Sequence, residues 1–408
     1  MKIYALNAER ESYKPENALK WLNIPYTSIV IGKEPYKEGG PDTWQNCAAD
    51  IDNIPTCPDD IIIASPKQFY SPEVEGWDEN QMNRAIDILS PKFKKVIMFN
   101  DDYTGNSGIS NGFPFKLNNV YMLGLEKRVN EKAKGAQYRK LLKTDWNFNY
   151  VHCRTYYDYP NKVKPNKDKK RSKMYINLNR VPKAHRVRLM MRLLQNNLLD
   201  KGYNSLMEFP PGVRKLNRIL LDDMTEDQPI KKFSRAFPKE NKESIRQLNG
   251  LLPMTVDFNK PGGAGFNFGH LLSGPSKFVN DSYFNIVTES HYREYCGFLS
   301  SEKIMKPLIS MQPFFVLGQP YTLKYLRDSG FKTFGDIIDE SYDNEVDDIK
   351  RFNMVTNEII KLFTENTLDE IHNIYCSITD TLKHNAKHIE KYVQNELKII
   401  KDIIDDKF

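Results

Sequence analysis

The sequence predicts an α/β protein made of two doubly wound parallel-sheet domains, followed by a helical C-terminal segment. Three observations predict it. Short apolar runs alternate with helix-like segments over about residues 1–160. A second alternation starts at residue 173. A basic stretch with almost no aliphatic bulk separates the two. Strands that are apolar throughout belong in parallel sheets covered on both faces. The expected boundaries are 1–158 for the first domain, 159–173 for a basic linker, 174–352 for the second domain and 353–408 for C-terminal helices packing across both.

In the first domain, KIYAL, SIVIG, DIIIA and KVIMFN read as strands that end in polar or turn residues, and NQMNRAIDIL reads as a helix between two of them. YPNKVKPNKDKKRSK (159–173) holds seven basic residues, one acid and two prolines. Such a segment cannot build a core. It reads as a solvated linker or as a loop that contacts phosphates, with Lys167, Lys169, Lys170 and Arg171 as the candidate cations.

KMYINLN (173–179) opens the second domain as a strand. An amphipathic helix follows within 180–199, with apolar positions at Val187, Met190, Met191, Leu194 and Leu198. SYFNIVTE (282–289) is a strand, SEKIMKPLIS a helix and QPFFVLG (312–318) a strand. TLKYLRDSG is a helix expected to open on Thr322 and close on Gly330. KTFGDII continues the alternation, and about 353–407 is helical by pattern. In open parallel sheets, ligands sit beyond the carboxyl ends of the strands.

The 408 residues carry a net charge of +6, 40% hydrophobic and 12% aromatic residues, which suits folded domains and permits phosphate-bearing partners. No run of 18 apolar residues occurs, so no membrane span is expected. MKIYALNAERES lacks the apolar centre of a signal peptide. Cys47, Cys57, Cys153, Cys296 and Cys376 are odd in number, without a close pair. That argues against a disulfide framework and a zinc ribbon, and for a cytoplasmic setting.

Glu302 and Lys303 stand at the start of a helix, after Ser301. Alone, such a pair reads as a solvated surface contact. The segment around it, YREYCGFLSSEKIMKPLISMQPFFVLG, resembles the nucleotide-sugar motif of the α1,3-fucosyltransferase-like glycosyltransferases. Phe298, Ser301, Glu302, Lys303, Pro313 and Gly318 occupy that pattern. FNIVTES, with Glu289, resembles the strand before the motif, and NLNRVPKAHRVRLMMRLL resembles the opening strand and helix of the donor domain. Related glycosyltransferases of phages and large viruses pair similar segments. The resemblance covers roughly 173–345 and leaves the first domain unmatched.

The resemblance implies a GT-B type protein, with two Rossmann-like domains facing a cleft. It implies transfer of a sugar from a nucleotide diphosphate sugar to an acceptor hydroxyl, with no cofactor and no metal. A departing diphosphate gains negative charge, which helix N-termini and basic side chains stabilise. By resemblance, Arg186 and Lys303 clamp the diphosphate, Glu302 takes the ribose hydroxyls and Glu289 faces the sugar. Arg180 competes with Arg186 as phosphate ligand, and His185 either holds a phosphate or caps its helix. An inverting transfer needs a general base. Asp101 and Asp102, after KVIMF, are the candidates, against the alternative of an Asx-turn.

PGGAGFNFGH (261–270) reads as a mobile loop, with Asn267 and His270 as candidates to cover a sugar. The acceptor is either a hydroxymethylated base in double-stranded phage DNA, in the cytoplasm of the host cell, or a glycan. Tyr150, Tyr156, Tyr157 and Tyr159 are candidates to stack on an exposed base, or else belong to the core of the first domain. A non-catalytic nucleic-acid-binding protein that retains the fold is the alternative outside enzymes.

Overall fold

The computed structural model describes residues 1–8, 15–31, 54–64, 85–99, 119–123, 150–158, 169–179, 183–206, 276–289, 292 and 301–407, with short pieces between 244 and 256. It divides into two compact units. The first comprises Met1–Tyr157, Tyr295–Phe298 and Tyr392–Phe408, and the second Asp158–Glu294 and Leu299–Lys391.

The first unit holds a five-stranded sheet of β1 (Ile3–Ala8), β2 (Thr27–Ile31), β3 (Cys57–Ala64), β4 (Phe93–Phe99) and β5 (Val120–Leu123). The order is β2-β1-β3-β4-β5, and every pairing is parallel. Ile61, Ile62, Ile63 and Ala64 are fully buried, as a continuous apolar strand at the centre of such a sheet requires. The fifth strand, VYML, was too short to be legible as a strand. Two helices also went unread, α1 (Glu16–Trp21) and α2 (Tyr150–Asp158).

Helix α2 gives two of the candidate tyrosines aromatic partners, as the core alternative expects. Tyr157 stacks on Trp21 of α1 with ring centroids 5.1 Å apart, and Tyr156 meets Tyr157 edge-on. Both rings serve packing within their own unit. Tyr159 lies outside the described residues, and so does the side chain of Tyr150.

The second unit holds a four-stranded parallel sheet of β6 (Lys173–Leu178), β7 (Gly202–Ser205), β8 (Ser282–Thr288) and β9 (Phe314–Leu317), in the order β7-β6-β8-β9. Helix α3 (Ala184–Gln195) connects β6 towards β7. The short α4 (Ser276–Asn280) precedes β8, and α5 (Glu302–Ile309) links β8 to β9. In each sheet, the first strand lies between the second and the third, so the winding reverses beside that first strand. β7 opens on Gly202, which lies against an aromatic ring. A Cβ there would stand 2.3 Å from the Tyr175 ring, which is buried with its hydroxyl donating to the Leu198 carbonyl.

Arg171 is the main correction to the basic linker. It is 5% exposed. Its guanidinium donates to the Ser282 carbonyl at 2.6 Å and to the Tyr375 hydroxyl at 2.7 Å, and it lies 4.3 Å from the Tyr375 ring centroid. Its backbone amide donates to the Tyr283 hydroxyl. This cation is internal and cannot meet a partner's phosphate. Lys170 is exposed and pairs with Asp369 at 2.6 Å, Lys169 is exposed, and Lys167 lies outside the described residues.

Helix α6 (Thr322–Asp328) ends as expected, with Gly330 at φ +90° directly after its last turn. It opens differently. The residue before the helix is Tyr321, and the Thr322 hydroxyl donates backwards to the Gln319 carbonyl. The first amides are accepted instead by the distant Asp343 carboxylate, from Leu323 and Lys324, each at 2.8 Å. Asp343→Ala is therefore expected to cost about 2 kcal/mol, as for loss of a strong N-terminal cap. Chemical denaturation of the variant reads it, and an unchanged midpoint would return the cap to Thr322.

KTFGDII forms turns and no strand. The C-terminal helices are α7 (Asp348–Glu365), α8 (Leu368–Ser377) and α9 (Thr379–Ile404). They begin at Asp348 because Asp347 accepts from the amides of Ile349 and Lys350. Thr367 and Glu370 form a reciprocal capping box at the start of α8. The last part of α9, from Tyr392, belongs to the first unit. There, buried Lys95 of β4 donates to the Ile403 carbonyl at 2.6 Å and satisfies the end of the helix. No helix of the described residues is long and apolar enough to cross a membrane.

Candidate active site

β6 and β8 are neighbours where the winding of the second sheet reverses, and helices α3 and α5 open beyond their carboxyl ends. That is where open α/β sheets bind ligands. The floor is polar. Asn179 follows β6 and Thr288 ends β8, and both are buried. The Thr288 hydroxyl donates to Asn179 Oδ1, and Asn179 Nδ2 donates to Asn177 Oδ1 at 2.8 Å. The Asn179 amide is taken by Ser205 at the end of β7. Every amide and hydroxyl named here donates to an acceptor, so three strand ends are locked at one level.

Glu289, directly after β8, is the centre of the site. Its backbone carbonyl accepts from His185 Nε2 at 2.9 Å and from Arg186 Nη2 at 3.4 Å. Its carboxylate accepts from the Ser301 amide at 3.0 Å and the Ser301 hydroxyl at 2.5 Å. Ser301 caps α5: its oxygen accepts from the Lys303 amide at 3.2 Å and from Lys303 Nζ at 3.3 Å. Lys303 Nζ also pairs with Glu302 at 2.7 Å. One chain of bonds therefore runs from α3 through Glu289 and Ser301 to Lys303.

Burial separates the members. His185, Arg186, Glu289, Ser301 and Glu302 are all buried, whereas the Lys303 side chain retains 21% exposure. Arg186 also donates to the Thr288 carbonyl at 3.3 Å, so it braces the end of β8. His185 stacks on Tyr292 with centroids 5.2 Å apart. Tyr292 lies in turn beneath the Arg351 guanidinium of α7, 4.6 Å from its ring. Arg351 donates to the Tyr292 carbonyl at 2.6 Å and to the Gly318 carbonyl at 3.1 Å.

Burial pushes the Glu289 carboxyl up, with Lys303 and the bonds from Ser301 opposing it and Glu302 adding to it. Glu302 goes the other way. Burial pushes it up too, but the Lys303 and Lys306 ammonium groups outweigh this and hold it down at about 2. A depressed carboxyl adds stability above its unfolded value, and that stability is lost as the pH falls towards the folded value. With 4.5 as the ordinary value, the Glu302 contribution shrinks by about 1 kcal/mol between pH 7 and pH 4. Glu289 has the opposite sign, because a raised carboxyl binds its proton more readily in the folded state. Denaturation at both pH values, with Glu302→Gln as reference, is expected to show the wild-type advantage shrink by that amount. An advantage that grows on acidification would overturn the assignment.

The structure brings His185, Arg186, Glu289, Ser301, Glu302 and Lys303 together. Arg180, Asp101, Asp102, Asn267 and His270 lie outside the described residues. Sequence reasoning missed Asn179, Thr288, Tyr292 and Arg351. Asn179 and Thr288 had a signal, since both stand at the ends of strands that were recognised. Arg351 had none. Among the described residues, no group of three or more His, Cys, Asp and Glu side chains is placed to hold a metal ion.

No family model matches the chain, and no curated protein matches it. Among solved structures, it is similar to the crystal structure of a glycosyltransferase from Rickettsia africae ESF-5. That likeness has 13% identity and a TM-score of 0.37, and it covers 99% of this chain and 98% of the other. A likeness of this size assigns no family.

Proposed function

We propose that the second unit binds a nucleotide diphosphate sugar and that the protein is a glycosyltransferase of the GT-B type. The observation that carries this reading is the position of Lys303. It stands in the first turn of α5, partly exposed, at the point of the sheet where the winding reverses. Its ammonium and the positive end of the dipole of that helix supply positive charge where a diphosphate would gain negative charge on departure. The matching order of the two parallel sheets supports the two-domain part of the reading.

In this proposal Lys303 takes the diphosphate directly, exchanging its contact with Glu302 for one to the ligand. Glu302, held ionised, then accepts from ribose hydroxyls. Arg186 and His185 fix the end of β8, and Arg186 adds its charge from beneath. Transfer without a metal belongs to the same proposal, as does a general base on the acceptor side. The acceptor is a hydroxyl. A duplex DNA acceptor loses Arg171 from its supporting cations, and Lys170 is paired with Asp369.

Thermal shift with GDP, UDP and CDP tests the reading. A ligand at 100 times its Kd stabilises its target by about 2.7 kcal/mol, so a clear rise in Tm with one of the three is the expected result. No rise with any of them would overturn it. Incubation of the matching nucleotide sugar with hydroxymethylated duplex DNA or with oligosaccharides then identifies the acceptor.

A further inference from the structure

Helix α9 turns an apolar face inward, with Leu382, Ile389 and Val393 all buried. Its outer face carries Lys383, Lys387 and Lys391, all exposed. They recur every four residues, so they form one row with steps of about 6 Å along the axis. All three belong to the second unit. None of them forms an ion pair with any described residue. Lys324 and Lys350 are exposed too but paired, Lys324 with Asp328 at 2.5 Å and Lys350 with Glu345 at 2.5 Å. The exposed acids on this part of α9 are Asp380 and Glu390, so the row keeps a net positive charge.

We propose that this row is a docking surface for the phosphodiester backbone of duplex DNA. A line of unpaired ammonium groups is complementary to a line of phosphates, and each contact releases condensed counterions. The chemistry favours DNA over an anionic membrane. Interfacial helices bury large apolar side chains in the bilayer. Among the described residues, the exposed large hydrophobics are Met1, Val30, Leu251 and Val346, and none is on α9. The surface reads no sequence, because backbone contacts position a duplex and do not specify it. The inference stands apart from the nucleotide diphosphate reading and does not need it.

The experiment is fluorescence anisotropy of a labelled 20-base-pair duplex against KCl concentration. It compares wild type, the triple variant Lys383→Gln/Lys387→Gln/Lys391→Gln, and Lys324→Gln/Lys350→Gln as a control that removes two exposed lysines held in ion pairs. Wild type is expected to bind with an affinity that falls with salt. The triple variant is expected to lose about 2.7 from the log–log slope, about 0.9 per lysine, while the control keeps its slope. Absence of duplex binding by wild type overturns the proposal, as does a triple variant with the wild-type slope. Sedimentation with phosphatidylserine vesicles is the parallel arm. Vesicle binding that depends on the row, with duplex binding unaffected, also overturns it. Retained circular dichroism and Tm show that the triple variant folds. Its response to GDP, UDP and CDP reports on the donor site separately.

Discussion

Lys303→Ala is expected to remove the thermal shift given by a nucleotide diphosphate and to lower sugar transfer about 100-fold or more. A hydrogen bond to a charged group contributes about 1.5–3 kcal/mol, which alone weakens binding by roughly ten- to a hundredfold. The effect on rate is expected to be larger than the effect on ground-state binding. Charge grows on the diphosphate as the glycosidic bond breaks, and loss of one such donor costs about 10²–10³ in kcat. The variant has a structural consequence as well, because Glu302 is buried and Lys303 is its 2.7 Å partner. Lys306 also holds that carboxylate ionised and limits the damage. Lys303→Met/Glu302→Gln removes both charges and keeps most of the packing, so it separates folding from binding. Isothermal titration with the nucleotide diphosphate that stabilises wild type reads both variants. Full affinity in Lys303→Ala would assign the phosphate to another group.

Local pattern and long-range contact account for what was legible in the sequence. β3, β4, β6, β8 and β9 were legible because parallel strands buried on both faces are apolar runs bounded by turns. α5 was legible because Ser301, Glu302 and Lys303 give its start a chemical signature. The weak strands were not: GYNS forms β7 because its glycine lets the strand pass over Tyr175, and nothing in those four residues announces that neighbour. Thr322 shows the same limit. It has the right side chain in the right place for a cap, yet the carboxylate of Asp343, far along the chain, takes the amides, and a hydroxyl at short range cannot compete with a buried anion. The candidate site divides along this line. Glu289 and Lys303 stood on the ends of recognisable elements, and the Ser301 bridge that joins them followed from the fold. Tyr292 and Arg351 entered from a loop and from α7, where sequence spacing carries no information about contact.

Arg171 is the clearest case of a residue whose setting reverses its reading, and its substitution is expected to have the largest effect on stability. In a run of lysines it looks like a surface cation. In the fold it joins the start of β8 to α8: its donors reach the Ser282 carbonyl and the Tyr375 hydroxyl, and its plane covers the Tyr375 ring. Burial lowers its pKa, and the nearby tyrosines and Asp281 oppose that effect. Arg171→Ala leaves a buried carbonyl and a buried hydroxyl without this donor and opens space between two aromatic rings. Charged hydrogen bonds and a partly desolvated cation–π contact together set the expected cost at about 3–4 kcal/mol. Lys170→Ala, one residue away, is expected to leave the denaturation midpoint in place, because its partner Asp369 is equally exposed. Urea unfolding followed by tyrosine fluorescence reads both variants. The two residues also divide on DNA binding. An internal cation releases no counterion on association, so a milder variant that stays folded, Arg171→Lys, should keep the wild-type salt slope. A folded Arg171→Lys with a flattened slope would return the linker to the partner surface and remove Arg171 from the core.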